Sequence, residues 1–279
     1  MTSLPAHARY DSASRSAFVR RPSPQLAKGL VTHVERSTDV DPVVAHEQWL
    51  GYVNALTDSG YEIHEVEPAP DCPDGVFIED AMVIARDLMV ITAPGAAPRR
   101  PETPGARAAA VGHGTRVIDL ADVPDDLGIA IDDIALDGGD VLKVGDLAYV
   151  GIGGRTTEAG AAAFAHHLAS VGMQVVQVHL TKTLHLKSQV TALPDGTIVG
   201  YEPLVDDPDF WPSFLAVPEA EGAHVVTLDE QTVLMSDAAP QSAQLYRERG
   251  LTVVALPISE FIKLEGCVTC LSVRLHPFD

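Results

Sequence analysis

Cysteine is scarce: Cys72, Cys267 and Cys270 are the only three in 279 residues. So small and odd a set cannot form a disulfide framework, which excludes the stapled secreted scaffolds and points to a reducing cytoplasm. Basic residues are also few, 19 Lys and Arg against 39 Asp and Glu, for a net charge of -20. That balance repels nucleic acid and anionic membrane and suits a small cationic ligand. No apolar run approaches the roughly 18 residues of a helical membrane span. The stretch from Met1 to Arg15 has neither the apolar core nor the charged lead of a signal peptide. It reads as a flexible N-terminal segment, 1–15, ahead of a single domain, 16–279.

What is present is repetition. Gly60, Gly114, Gly172 and Gly250 each follow a helical pattern and precede a short β-rich run, the signature of a helix stop leading into a strand. The helices are expected at Asp41 to Leu56, Thr103 to Val111, Thr157 to Ser170 and Gln241 to Arg249. Hairpins are expected at Asp80 to Thr92, Asp140 to Gly151, Gln189 to Gly200 and His224 to Met235, turning at Arg86-Asp87, Gly145-Asp146, Asp195-Gly196 and Asp229-Glu230. The segment after the third of these, through Asp209-Phe210-Trp211-Pro212, is a poor helix. The unit is strand, strand, helix, strand, in four copies with periods of roughly 35 to 60 residues.

The two chain ends complete a fifth copy. A strand at Ser16 to Arg20 lacks its hairpin partner, and a strand at Leu271 to Leu275 has no helix behind it. Pairing them closes a ring, which removes the exposed sheet edges. The fold expected is α/β, a five-bladed αβ propeller closed by the C-terminal strand.

Each copy has a polar segment just before its first hairpin strand: Asp74 to Asp80, Asp137 to Asp140, His185 to Ser188, Glu221 to His224, and Cys267 to Cys270. Pseudo-symmetry puts these at one end of the ring around one axis. Cys270, His185 and Asp137 then converge as nucleophile, proton carrier and orienting carboxylate, the set that covalent catalysis by a thiolate requires. The spacing Cys267-x-x-Cys270 also fits a zinc knuckle or a thioredoxin-like redox pair. A knuckle needs a second pair, and a redox pair should open a helix rather than precede a strand, so neither is expected.

The segments Asp74-Gly75-Val76-Phe77-Ile78-Glu79-Asp80, Leu136-Asp137-Gly138-Gly139-Asp140, Gly154-Arg155-Thr156-Thr157-Glu158, Leu184-His185-Leu186-Lys187-Ser188 and Cys267-Val268-Thr269-Cys270-Leu271-Ser272 resemble the dimethylarginine dimethylaminohydrolases. These dimethylargininases belong to the guanidine-modifying, or pentein, superfamily, and the resemblance runs from about Phe18 to Leu275. It implies a five-bladed propeller and hydrolysis of N-methylated arginine to citrulline, through a thiouronium on Cys270, with no metal or other cofactor. It also implies that Asp74, Phe77, Glu79 and Asp80 surround the substrate's guanidinium and amino groups. Arg99 and Arg155 hold its carboxylate, and the backbone carbonyls of Leu30 and Leu264 face it. A homodimer is a further implication.

Two other functions stand beside this one. Arginine deiminase or dihydrolase chemistry uses the same fold, but that group typically carries an aspartate two residues after the catalytic histidine, where this chain has Lys187. A non-enzymatic arginine-binding protein would have no need of the Cys270, His185 and Asp137 set. Gly75 stands where the resembled family often has serine. Glu221 to His224 replaces an Ala-Ala-Asn-like segment, with His224 read as a tolerated surface residue.

Overall fold

Five three-stranded sheets are arranged as the repeat requires. The computed structural model describes residues 15–36 and 39–275, so the flexible segment expected at 1–15 lies outside the described residues except for Arg15, which is already in a strand. The chain runs through β1 (Arg15–Val19), α1 (Pro42–Asp58) and β2 (Tyr61–Glu65). Next come β3 (Met82–Ala85), β4 (Leu88–Ile91), α2 (Thr103–His113) and β5 (Arg116–Asp119), then β6 (Val141–Val144), β7 (Leu147–Ile152), α3 (Glu158–Ala169) and β8 (Gln174–His179). The fourth unit is β9 (Val190–Ala192), β10 (Ile198–Gly200) and β11 (Phe214–Ala216). The fifth is β12 (Val225–Thr227), β13 (Thr232–Ser236), α4 (Pro240–Glu248) and β14 (Thr252–Leu256). A short α5 (Ser259–Ile262) precedes the closing β15 (Val273–Leu275).

In every sheet the first two strands of the repeat pair antiparallel and the last two parallel. The fifth sheet is assembled from both ends of the chain, β15-β1-β2, with Phe18 opposite Val273 on one side and His64 on the other. Short loops join each hairpin, and in four of the five units an α-helix carries the chain over the parallel crossover, a connection that parallel pairing requires to be long. The first strands face the axis, β15 against β3, β6 against β9, and β9 against β12.

Local chemistry accounts for the boundaries. Asp41 caps α1 by accepting from the amides of Val43 and Val44, and Pro42 occupies the first turn, where its missing N–H is not needed. Thr157 caps α3 through the amide of Gly160. The four glycines after the helices all adopt positive φ, between 73° and 89°. The fourth unit has no α-helix: Pro203, Pro208 and Pro212 break the segment into single 3-10 turns, and the buried Trp211 packs edge-on against Tyr149 where a helix would lie. The closing strand is shorter than expected, because Cys270 and Leu271 lie in a 3-10 turn, Thr269–Leu271, rather than at the strand's start.

Arg20 ties the first strand to the loop that carries Asp74. Its guanidinium is buried and donates to the carbonyls of Glu67 (3.2 Å), Gly75 (3.3 Å) and Glu102 (2.8 Å). Replacing it with Met strands three carbonyls without donors, so Arg20→Met should lose on the order of 3 kcal/mol of stability. The measurement is a shift of the urea midpoint at unchanged slope.

Candidate active site

Five single 3-10 turns stand at equivalent places ahead of the first hairpin strands: Ile78–Ala81, Gly138–Asp140, Leu186–Ser188, Ala220–Ala223 and Thr269–Leu271. The turn at Thr269–Leu271 packs against Ile78–Ala81, that one against Gly138–Asp140, and that in turn against Leu186–Ser188. Two glycines permit the approach. A Cβ on Gly138 would fall 2.0 Å from the Glu79 carbonyl, and one on Gly139 would fall 2.6 Å from His185 Nδ1. The Asp-Gly-Gly-Asp segment is thus both a tight loop and a site element. Asp137 Oδ1 accepts from the Gly95 amide at 2.9 Å, while its Oδ2 lies 3.1 Å from His185 Nε2.

His185 lies between two carboxylates, with Asp80 Oδ1 3.9 Å from Nδ1. Burial disfavours its cation, but Asp80, Asp140 and the hydrogen bond to Asp137 prevail and raise its pKa to about 9. Burial would also raise Asp80. His185, Arg99 and the Gly139 amide outweigh it and hold that carboxyl at about 2. Asp140 supports the histidine's backbone, accepting from the Leu186 amide (2.9 Å) and the Thr156 hydroxyl (2.6 Å), and burial pushes it to about 6.

Cys270, His185, Asp74, Phe77, Asp80, Arg99, Arg155, Leu30 and Leu264 line one narrow cavity of about 20 Å³. Asp137 stands behind His185, fully buried. Glu79 does not share that cavity. A 3-10 turn advances about 120° per residue, so adjacent side chains cannot face the same way. Glu79 points instead to a larger cavity of about 270 Å³ along the inner strands, where it meets Lys187 Nζ at 2.6 Å and accepts from the Thr269 hydroxyl at 3.0 Å. The structure therefore places Glu79 apart from the cavity that Asp74, Phe77 and Asp80 share, and its carboxylate joins the cysteine turn to the histidine turn.

The two arginines also differ. Arg99 is buried and bonded to Asp80, both oxygens of Glu102 and the carbonyls of Asp74 and Phe77, which leaves one Nη1 hydrogen uncommitted among the described residues. Arg155 has only an ion pair to Asp137 at 3.6 Å and makes no hydrogen bond among the described residues. Asp74 accepts from the Leu30 amide with both oxygens, at 3.0 and 3.1 Å. The sequence gives no hint of Glu265, which lines the same cavity: it sits at φ 61° and its carboxylate gathers the amides of Thr32, His33 and Val34, tying down the segment that follows Leu30. A non-glycine residue at positive φ leaves no signal in the sequence. His224 is buried rather than at the surface, with Nε2 3.1 Å from the Ser188 carbonyl.

The Cys270 thiol is pushed well up by its hydrogen bond with Cys267, by burial and by the charges of Glu79 and Asp80. Ligand atoms of Asp80, Asp137 and His185 lie within 4.8 Å of one another, close enough for a metal. Asp80 is already held by Arg99 and Gly139, and His185 keeps a proton at neutral pH, so the trio is better suited to holding a proton than a cation.

No family model matches the chain. It is 52% identical over 263 residues to an N(G),N(G)-dimethylarginine dimethylaminohydrolase of Streptomyces coelicolor, spanning 94% of this chain and 98% of that one. The same enzyme from Pseudomonas aeruginosa, solved as a cysteine-to-serine variant with citrulline, superposes with a TM-score of 0.80 at 26% identity, covering 93% of this chain and 98% of its own. The N-terminal domain of a cyanobacterial arginine dihydrolase, at 20% identity, has a TM-score of 0.79 over 94% of this chain and 97% of its own, a likeness of fold alone.

The raised pKa of His185 has a measurable consequence. Its imidazole should titrate by NMR near pH 9, and Asp80→Asn, which removes the strongest electrostatic support for the cation, should lower that midpoint. Because the folded value lies above the unfolded value of about 6.5, the stability contributed by this proton is full below about pH 6.5 and lost as pH rises through about 9. Thermal melts across that window should decline more steeply for the parent than for His185→Gln.

Proposed function

The chain belongs to the dimethylarginine dimethylaminohydrolase family, and on that premise we propose that it hydrolyses N-methylated L-arginine to L-citrulline and dimethylamine or methylamine. It is a hydrolase of amidine C–N bonds, and its substrate is a small arginine-derived cation. The observation that carries the reading to individual residues is the single cavity shared by Cys270, His185, Asp74, Asp80 and Arg155 in a chain so similar to a dimethylargininase.

In this reading the guanidinium lies beside Asp80 and Asp74, and Arg155, which makes no hydrogen bond among the described residues, takes the substrate's carboxylate as a bidentate fork. Arg99 offers its one remaining hydrogen and otherwise fixes the loop. In the free protein Cys270 is a neutral thiol. A bound guanidinium supplies the missing positive charge, the thiol proton passes to solvent, and the thiolate attacks the guanidine carbon. His185, protonated at neutral pH, delivers its proton to the departing amine, leaving a thiouronium on Cys270. The neutral imidazole then takes a proton from water. Hydroxide adds to the carbon, and collapse expels the Cys270 thiolate, which takes up the hydroxyl proton and returns to the thiol as citrulline is released.

Asp137 keeps His185 oriented throughout. A cavity of about 20 Å³ has room for little more than one water, so in this reading its lining shifts when substrate enters. Residues 16–279 act as one catalytic domain in this reading, and a homodimer follows from family likeness. Three free thiols suit a reducing cytoplasm, and no helix among the described residues is long and apolar enough to cross a membrane.

The test is citrulline formation from asymmetric dimethylarginine, monomethylarginine and arginine. Methylated substrates should turn over with release of the matching amine. Cys270→Ser should abolish turnover, and His185→Gln should lower kcat by on the order of 10² to 10⁴. Turnover of arginine alone would reassign the chain to deiminase or dihydrolase chemistry; binding without turnover would make it an arginine-binding protein.

A further inference from the structure

Cys267 has no part in the reaction just described, yet its Sγ lies 3.4 Å from that of Cys270. The Cys270 amide donates to the Cys267 carbonyl at 3.2 Å, so the two residues span one tight turn of 3-10 type. In such a turn side chains three apart eclipse, and their Cα atoms stay within about 7 Å. A disulfide needs that Cα spacing, and the sulfurs need only move about 1.4 Å closer to reach bonding distance. We propose that Cys267 is a resolving thiol for Cys270, and that a hydroperoxide converts the pair to a disulfide that reversibly silences the site. The proposal rests on Cys270 being the nucleophile.

The chemistry balances with the peroxide as sole oxidant. Cys270 passes its proton to the Cys267 sulfur 3.4 Å away, and the resulting Cys270 thiolate attacks the peroxide. The O–O bond breaks, the departing oxygen takes that proton from Cys267 and leaves as an alcohol or water, Cys267 is again a thiolate, and the Cys270 sulfur becomes a sulfenic acid. Cys267 thiolate then attacks that sulfur, an S–S bond replaces the S–O bond, and hydroxide leaves as water after protonation. Two thiols and one hydroperoxide become one disulfide, one alcohol and one water. A dithiol reverses the product by exchange.

The setting of Cys267 favours this role. Its sulfur is buried 3.2 Å from the Thr269 hydroxyl. The hydrogen bond with Cys270, and then the His224 imidazolium that Glu221 helps to maintain, favour a thiolate on Cys267 against its burial. Cys270 lines the cavity by which substrate enters, so a small peroxide has the same route. The sequence argues against a thioredoxin-like oxidoreductase, because the pair opens no helix. The structure agrees on that and shows why the spacing still matters: the partner protects one nucleophile rather than exchanging disulfides with other proteins. Cys72, also buried, serves as an internal control that has no thiol partner.

The experiment treats the full chain with a modest excess of hydrogen peroxide. Activity, titratable thiols and intact mass under denaturing conditions are then followed before and after dithiothreitol. The parent should fall from three thiols to one, lose about 2 Da, become inactive, and recover fully with dithiothreitol, with Cys267 and Cys270 joined in the peptide map. Cys267→Ser and Cys267→Ala, each scaled to its own starting activity, should gain oxygen atoms on Cys270 and recover less as exposure lengthens. The proposal falls if the parent keeps its thiols, if it gains oxygen instead of losing hydrogen, or if both variants recover as completely as the parent. Absence of methylarginine hydrolysis in untreated protein would sink the functional reading alone, because thiol count, mass and peptide map still decide the disulfide.

Discussion

The antiparallel pairing of β15 with β1 is the constraint on which the rest depends. Only three residues of each strand are matched, Ser16 with Leu275, Ala17 with Arg274 and Phe18 with Val273, yet that pairing closes the ring. It brings β15 against β3 and so seats the Cys270 turn on the turn that carries Asp80. A three-residue ladder is weak alone. It persists because Phe18, Val273 and Leu275 are buried with Val66, Ile78 and Met82, and because the Tyr52 hydroxyl meets that of Ser272 at 2.7 Å. Contacts that join opposite ends of a chain are costly in loop entropy. The Cys270 turn is thus fixed by pairing between the two ends of the described chain.

Around that ring the site is held by alternating buried charges. Arg99 stands between Asp80 and Glu102, His185 between Asp80 and Asp137, and Lys187 against Glu79. Burying any one of these alone would be expensive, and the pairing makes each tolerable without making the network a large source of stability. Its effect is to set protonation states. Asp80 remains ionised, His185 remains protonated, and Cys270, hydrogen-bonded to Cys267 and buried beside the Glu79 and Asp80 charges, is held as a thiol, which in the proposed reaction persists until a cation arrives. A substrate with a permanent positive charge is then also the agent that completes the site's electrostatics.

Much of this is legible in the sequence, for definite reasons. The period of strands, hairpin turns and helix-stop glycines sets the blade count, because glycine at positive φ and Asp-Gly at a turn have local causes. The polar segment before each hairpin marks the ring of turns, since polar residues beside an apolar strand need a reason to be buried. The places where the sequence misleads are those decided by orientation. Glu79 and Asp80 are neighbours in one motif, but a 3-10 turn sends them to different cavities. His224 reads as a surface residue because nothing local reveals that the Ser188 carbonyl and Glu221 await it. Glu265 is invisible because its partners, the amides of Thr32 to Val34, lie at the far end of the chain.

Spare hydrogen-bonding capacity separates residues that meet a ligand from those that support them. Arg99 is nearly exhausted by five acceptors, and Glu79 gives one oxygen to Lys187 and the other to Thr269. Both are buried charges whose partners are already provided, which is what a scaffold requires. Arg155, also buried, has a 3.6 Å ion pair to Asp137 and makes no hydrogen bond among the described residues, so its guanidinium keeps donors that a carboxylate ligand could use. Asp74 is intermediate: one amide is shared between two oxygens, leaving lone pairs directed at the cavity. A motif can name all four residues, and their remaining hydrogen bonds then distinguish the grip from the frame.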